Sequence, residues 1–253
     1  MEIKLTRIDV DALTSFISKL TSIDKFVYLK IKGESLVSSV YLPEKDAVKI
    51  QEVPVDEIFS FESQPENDLK ISFFNGSKVI EALRNFNGTD AEDLSAVIEC
   101  AEMEGELVAT NLKVSSQDLT LSLVCSDPTL GFMDLTADQI KAIFSKKDLM
   151  FDFDLEPFML SKITTLFGLD KDSDTFKIVY TTDAVRVKGD SYDAKITTTD
   201  KSSVETGTEV MLYKKYFNLL DKESYVVSVC PNKLVFKSKD SNTLLTVSVC
   251  ANS

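Results

Sequence analysis

Apolar residues along this chain switch between two periods, and the switch recurs four times. In residues 9–22, Val10, Leu13, Ile17 and Leu20 fall three to four apart on one helix face, while residues 2–7 before them alternate as a strand does. The same step from short strand into helix is predicted from 69–74 into 75–86. There Val79, Leu83 and Phe86 point inward and Asn75 or Ser77 serves as cap. It returns from 149–155 into 156–168, where Pro157 suits an early helical position, Met159, Ile163, Leu166 and Phe167 form the stripe, and Gly168 stops it. The fourth instance runs from 209–212 into 213–223, with Tyr213, Phe217 and Leu220 inward.

After each helix the pattern reverts to period two for about three strands. The predicted strands are 26–32, 35–42 and 47–53; then 96–102, 106–114 and 119–125; then 175–181, 184–188 and 194–199; and finally 225–230, 233–237 and 244–250. Turns fall at Lys32-Gly33, Met103-Glu104-Gly105 and Pro231-Asn232. The two halves also close alike, with Leu119-Thr-Leu-Ser-Leu-Val-Cys125 and Leu244-Leu-Thr-Val-Ser-Val-Cys250 lying 125 residues apart. Each is preceded by another strand ending in cysteine, Ala96-Val-Ile-Glu-Cys100 and Val226-Val-Ser-Val-Cys230. Such a repeat makes the chain a duplication.

The expected fold is therefore α+β, two pseudo-symmetric domains of two strand–helix–three-strand units each, with helices packed on one side of antiparallel sheets. The expected boundaries are 1–127 and 148–253, joined by a connector at 128–147. Asp127-Pro128 opens that connector, and Thr136 with Gln139 forms a capping box for a short helix to about Phe144.

Composition narrows the function more by exclusion than by sign. The 253 residues are 43% apolar, enough for two cores of ordinary size, and contain no apolar run near the roughly 20 residues of a membrane span. The first residues lack the apolar block of a signal peptide, so an unexported chain with no membrane partner is expected. Four cysteines without CxxC spacing and no histidine exclude a conventional zinc site and predict buried, reduced thiols. The missing histidine also removes Ser–His and Cys–His catalysis. Asp152, Asp154 and Glu156 alternate onto one strand face and are the best candidates for a divalent cation; acids so placed also keep an exposed edge strand soluble.

A net charge of −13 argues against a polyanionic partner until its distribution is considered. The windows 9–22, 75–88, 156–168 and 213–223 sum to −1, +1, 0 and +1, so the helices carry +1 in a chain of −13. Their acids Asp9, Asp11 and Glu156 stand at helix starts, where they suit the dipole. The polar faces keep Lys19, Lys78, Arg84, Lys162, Lys214, Lys215 and Lys222, opposed mainly by Glu81, Asp221 and Glu223.

With its duplicated units, its length, its acidic balance and these helix lysines, the chain resembles a DNA polymerase sliding clamp, in particular the two-domain clamps of tailed bacteriophages and of the proliferating cell nuclear antigen type. Val210-Met-Leu-Tyr-Lys-Lys-Tyr-Phe-Asn-Leu-Leu220, followed by Tyr225-Val-Val-Ser-Val, is similar to the family's last helix and strand, and residues 9–20 to its first helix. The resemblance implies a homotrimeric ring closed head to tail, helices lining the hole, sheets forming the outer wall, and no catalytic residue, metal or cofactor. It implies that Lys19, Lys78, Arg84, Lys162, Lys214, Lys215 and Lys222 face encircled double-stranded DNA without reading its sequence. Weak phosphate contacts suffice where topology holds the ring on DNA.

The implied partners are a DNA polymerase, whose processivity the ring confers, and a clamp-loader ATPase, in the cytoplasm of the cell or viral host. In the connector Leu130, Phe132, Met133 and Leu135 are the implied partner-binding cluster, or else simply pin the connector to the core. The short helix after them departs from the extended connector of relatives. A phage structural or assembly protein of duplicated β-rich domains and a monomeric processivity factor of the same fold are the alternatives.

Overall fold

The computed structural model describes residues 1–103, 105–128, 134–182, 184–198 and 206–250. The chain divides into two compact units, 1–43 with 50–135 and 44–49 with 136–253, so the division at 135/136 falls inside the expected connector. Of the expected partner cluster, Leu130, Phe132 and Met133 lie outside the described residues; Leu135 is half-buried.

In the first unit, strand β1 (Glu2–Ile8) leads into helix α1 (Val10–Thr21), then β2 (Val27–Lys32), β3 (Ser35–Tyr41), β4 (Ala47–Pro54), whose first residues group with the second unit, and a short β5 (Phe59–Phe61). The step repeats with β6 (Leu69–Phe73), α2 (Gly76–Leu83), β7 (Ser95–Met103), β8 (Glu106–Ser115) and β9 (Thr120–Val124). Pairing runs β3–β2–β6–β8–β7–β1–β5, with β9 added on β8. The contact of β6 with β8 is parallel and only Leu69↔Leu107 and Lys70↔Val108 long; it joins two otherwise antiparallel groups.

The second unit opens with α3 (Ala137–Ile143), whose capping box forms as its sequence dictates: Gln139 N–H donates to Thr136 Oγ1 at 3.3 Å, and Thr136 N–H to Gln139 Oε1 at 2.8 Å. It continues through β10 (Phe151–Leu155), α4 (Pro157–Phe167), β11 (Thr175–Tyr180), β12 (Ala184–Lys188), β13 (Asp193–Thr198), β14 (Glu209–Tyr213), β15 (Tyr225–Cys230), β16 (Lys233–Ser238) and β17 (Asn242–Ser248). Its two sheets run β10–β15–β16–β17 and β13–β12–β11–β14. They reproduce the first unit's β1–β7–β8–β9 and its β3–β2–β6, so the duplication extends to strand pairing.

The elements form where the periods place them. Val10, Leu13, Phe16, Ile17 and Leu20 are buried on α1, each such side chain contributing roughly 1.5–3 kcal/mol by leaving water. Strand β10 buries Phe151, Phe153 and Leu155 and exposes Asp152 and Asp154 in strict alternation. Gly76 lets the first turn of α2 press against α1. A Cβ there would stand 2.5 Å from Val27 Cγ2, 2.6 Å from Thr21 Cγ2 and 3.1 Å from Ile17 Cγ2.

The expected fourth helix, 213–223, is instead a six-residue 3-10 segment, Lys214–Leu219. Its buried residues are Tyr216, Phe217 and Leu219, whereas Tyr213 is 41% exposed. The spacing of 216 and 219 is that of a three-residue turn, and the segment is too short for α-helical cooperativity. Phe217 holds it down, edge-on to Phe176 at 5.1 Å and to Phe167 at 5.7 Å.

The terminal cysteines mark register less neatly than expected. Cys230 ends β15, but Cys125 and Cys250 lie just beyond β9 and β17, and Cys100 sits inside β7. All four thiols are unpaired, and burial pushes Cys100 up to about 11 and Cys125 to about 12.

Candidate nucleic-acid interface

In the first unit two capped helices carry the candidate cations. Asp9 accepts from Ala12 N–H at 2.9 Å, and Asn75 accepts from Lys78 N–H at 3.1 Å, each satisfying a donor of the first turn. Because the apolar stripe faces inward, Lys19 lies half-buried in the last turn of α1, where a cation also suits the helix dipole. Lys78 is exposed in the first turn of α2, the end that Gly76 sets against Thr21 and Ile17 of α1. Arg84, exposed, opens the 3-10 turn Arg84–Phe86 that prolongs α2.

In the second unit the four candidates differ in kind. Lys162 is exposed on α4 with its ammonium 5.2 Å over Phe158. Lys215 is 46% exposed, 3.1 Å from Asp46 and above the rings of Tyr213 and Tyr216 at 5.6 and 5.4 Å. Burial opposes ionisation of Asp46, but the Tyr216 hydroxyl donating at 2.7 Å and Lys215 hold its carboxyl below the usual range. Lys222 is exposed in the turn after the 3-10 segment.

Lys214 faces the other way. Its side chain is 14% exposed, donates to the main-chain carbonyl of Asp170, stands 4.0 Å from that residue's carboxylate and lies 5.7 Å over Phe167. Adjacent residues of a tight turn point to different sides, so of the pair expected to face DNA only Lys215 is at the surface.

The opposing acids are partly spent elsewhere. Lys49, 1% exposed, holds Asp221 at 2.8 Å and donates to the Leu219 carbonyl at 3.2 Å, tying down the end of the 3-10 segment. Glu223 accepts from the hydroxyls of Ser238 and Ser241 at 2.6 and 2.8 Å.

Among the exposed lysines outside the helix windows are Lys25, over Phe26 at 5.1 Å, and Lys171. They follow α1 and α4 in matching apolar-Asp-Lys sequences, Ile23-Asp-Lys25 and Leu169-Asp-Lys171, and comparing the halves would have found them. The acids proposed for a cation are engaged by lysines: Asp152 lies 3.7 Å from Lys146, and Lys239 stands 2.9 Å from Asp154 and 3.9 Å from Glu156. Among the described residues no group of three or more metal-ligating side chains converges, and no helix is long and apolar enough to cross a membrane.

Each unit also ends in an open strand edge. Among the described residues β9 pairs only with β8, and β13 only with β12. Val124 at the end of β9 is 78% exposed. Beside β13 a groove of about 470 Å³ runs along α4, lined by Phe158, Lys162, Leu166, Ala194 and Ile196, with Phe158 55% exposed.

Duplicated units of this topology match the fold of DNA sliding clamps. No protein-family model and no curated protein sequence matches the chain, but solved structures do. PCNA of Thermococcus kodakaraensis superposes with a TM-score of 0.65 at 12% identity, 98% of each chain being covered. PCNA of A. fulgidus, solved with the C-terminal region of FEN-1 bound, gives 0.63 at 14% identity over 100% of this chain and 99% of that one. The β clamp of H. pylori, in complex with 5-chloroisatin, gives 0.67 at 11% identity, and there the chain spans 64% of the neighbour's length. The chain has the sliding-clamp fold from end to end.

Proposed function

We propose that the chain is a DNA sliding clamp, which encircles duplex DNA and tethers the replicative polymerase, with no chemistry of its own. The observation that carries this reading is that a chain of clamp fold and net charge −13 keeps exposed cations on the segments that follow each strand–helix step. Lys19, Lys78, Arg84, Lys162, Lys215 and Lys222 meet phosphates along the backbone, joined by Lys25 and Lys171, and Lys214 acts by holding the turn that presents Lys215. A helix of 12 residues is about 18 Å long and passes several phosphates spaced roughly 1.7 Å along the axis. Such contacts are weak and sequence-blind, as sliding requires.

A ring needs two unlike surfaces that meet head to tail, and the open edges of β9 and β13 supply them. In this reading β9 of one copy extends the β13 sheet of the next, and apolar side chains near Val124 cover the groove at Phe158. Three copies close the ring. A clamp-loader ATPase opens it, and partner peptides dock at Leu130, Phe132, Met133 and Leu135 in the connector. The A. fulgidus relative, solved with a partner's C-terminal region, supports peptide docking as the mode of recruitment.

Light scattering at micromolar concentration is expected to give about three subunits per particle. Loaded onto DNA, the protein should stay on closed circles and run off linear ends. A strict monomer replaces the ring with a monomeric processivity factor; equal loss from circles and linear DNA removes topological tethering altogether.

A further inference from the structure

The stretch Glu44–Lys49 groups with the second unit and fastens its 3-10 segment at two points. Lys49, buried, holds Asp221 at 2.8 Å and the Leu219 carbonyl at 3.2 Å. Asp46 meets the other end of the segment: its Oδ2 accepts from the Tyr216 hydroxyl at 2.7 Å and lies 3.1 Å from Lys215 Nζ. The chain enters Asp46 through Lys45 at φ 59°, a left-handed conformation that residues with side chains disfavour, and Ser248 N–H donates to the Asp46 carbonyl at 2.8 Å. Asp46 is therefore delivered to this position by specific contacts and not by the default path of a turn.

The carboxylate is not free to follow Lys215 outward. Its side chain is 22% exposed, and its other partner, Tyr216, is buried and kept a neutral phenol, hence a donor, by that burial and by Asp46. Beside this fixed anion the Lys215 ammonium is also held over the rings of Tyr213 and Tyr216. A phosphate arriving from solvent must share the ammonium with a carboxylate that already occupies one side of it. The two anions would stand no more than roughly 6 Å apart, two ion-pair distances end to end, well inside the Debye length of roughly 10 Å at 0.1 M salt. Their repulsion weakens the contact further. Lys162, exposed over Phe158, offers the comparison.

We propose that Asp46 is an electrostatic brake on the DNA-facing surface: a fixed carboxylate that competes with phosphate for Lys215 and keeps that contact weak. The brake rests on the reading of the chain as a clamp whose lysines meet DNA. A ring that topology keeps on DNA needs phosphate contacts that exchange readily as it slides, and a carboxylate built in beside the lysine supplies that exchange partner.

The test measures equilibrium binding of the full chain to a short fluorescent linear duplex, by anisotropy across a salt series; the open ends let the duplex thread a ring without a loader. The slope of log K against log salt counts the phosphates neutralised, about 0.9 for each. In the native chain Lys215→Met should flatten that slope by less than half of the change caused by Lys162→Met, because Lys215 is already engaged by Asp46. Asp46→Asn, whose amide oxygen can still accept from Tyr216, should tighten binding several-fold at about 0.1 M salt and steepen the slope. Most of that gain should disappear when Lys215→Met is added.

An equal gain from Asp46→Asn with and without Lys215 reduces Asp46 to a distant negative charge. A slope change from Lys215→Met as large as that from Lys162→Met shows a lysine already free for phosphate. Either result overturns the brake, and the second comparison leaves Asp46 in place, so it decides even where the Asn variant does not fold. If neither Lys162→Met nor any Lys215 variant changes duplex binding, the DNA-facing reading itself falls, a result distinct from both.

Discussion

Replacing Lys214 with methionine separates a cation that builds the fold from those proposed to meet DNA. The native ammonium donates to the Asp170 carbonyl, and losing a buried charge-assisted hydrogen bond costs about 1.5–3 kcal/mol. Its position 5.7 Å over Phe167 adds about 0.5–1 kcal/mol. Asp170, 7% exposed, keeps the hydrogen bond from Asp190 N–H at 2.9 Å but loses the nearby cation. Methionine restores much of the stem's packing, leaving a net loss of about 2–3 kcal/mol. For a chain of this size that lowers the unfolding temperature by about 4–10 °C. Lys162→Met, at an exposed site, should cost under about 0.5 kcal/mol but flatten the salt dependence of DNA association, by about 0.9 in slope for each phosphate no longer neutralised. Thermal unfolding and salt-titrated DNA association, run on both variants, give the comparison. If Lys214→Met unfolds with the native chain but abolishes polymerase stimulation, Lys214 is an interface residue and the assignment to the fold fails.

Two further outcomes follow from packing and charge. Gly76→Ala drives a methyl into Val27, Thr21 and Ile17; overpacking of about 1–3 kcal/mol exceeds the helix-propensity gain of at most about 1 kcal/mol, so the urea midpoint should fall. A midpoint at or above the native value contradicts the close α1–α2 approach. The depressed ionisation of Asp46 gives stability that is present above the ordinary carboxylate range and lost as pH falls through its lower folded value. Stability should therefore drop more steeply in the native chain than in Asp46→Asn between about pH 5 and pH 2, and parallel curves would show that the Tyr216 and Lys215 contacts contribute nothing.

What the chain discloses without a structure is what local periodicity controls. Strand β10 and helix α1 follow their patterns because each apolar set occupies one side of a regular element. The capping box at Thr136 and the cap at Asn75 are equally local, their partners three residues away. Legibility ends where tertiary packing decides. Phe59–Phe61 pairs with β1 across some 50 residues and is too short to display a period. The segment after β14 takes 3-10 form because an aromatic cluster, not its own propensity, sets which side chains go in.

Charge follows the same rule. Lys214 and Lys215 are neighbours in sequence, yet one is spent on Asp170, 44 residues away, and the other stays at the surface beside Asp46. No helical wheel separates them. Moving Lys214 from the proposed interface to the fold does not weaken the charge argument. Asp221, counted against the cations, is neutralised by the buried Lys49, and Glu223 turns to serine hydroxyls. Meanwhile Lys25 and Lys171 add exposed charge at matching places in the two halves. If Lys25 and Lys171 belong to the proposed interface, it gains by duplication what it loses by burial, a balance that a helix-by-helix reading of the sequence does not reveal.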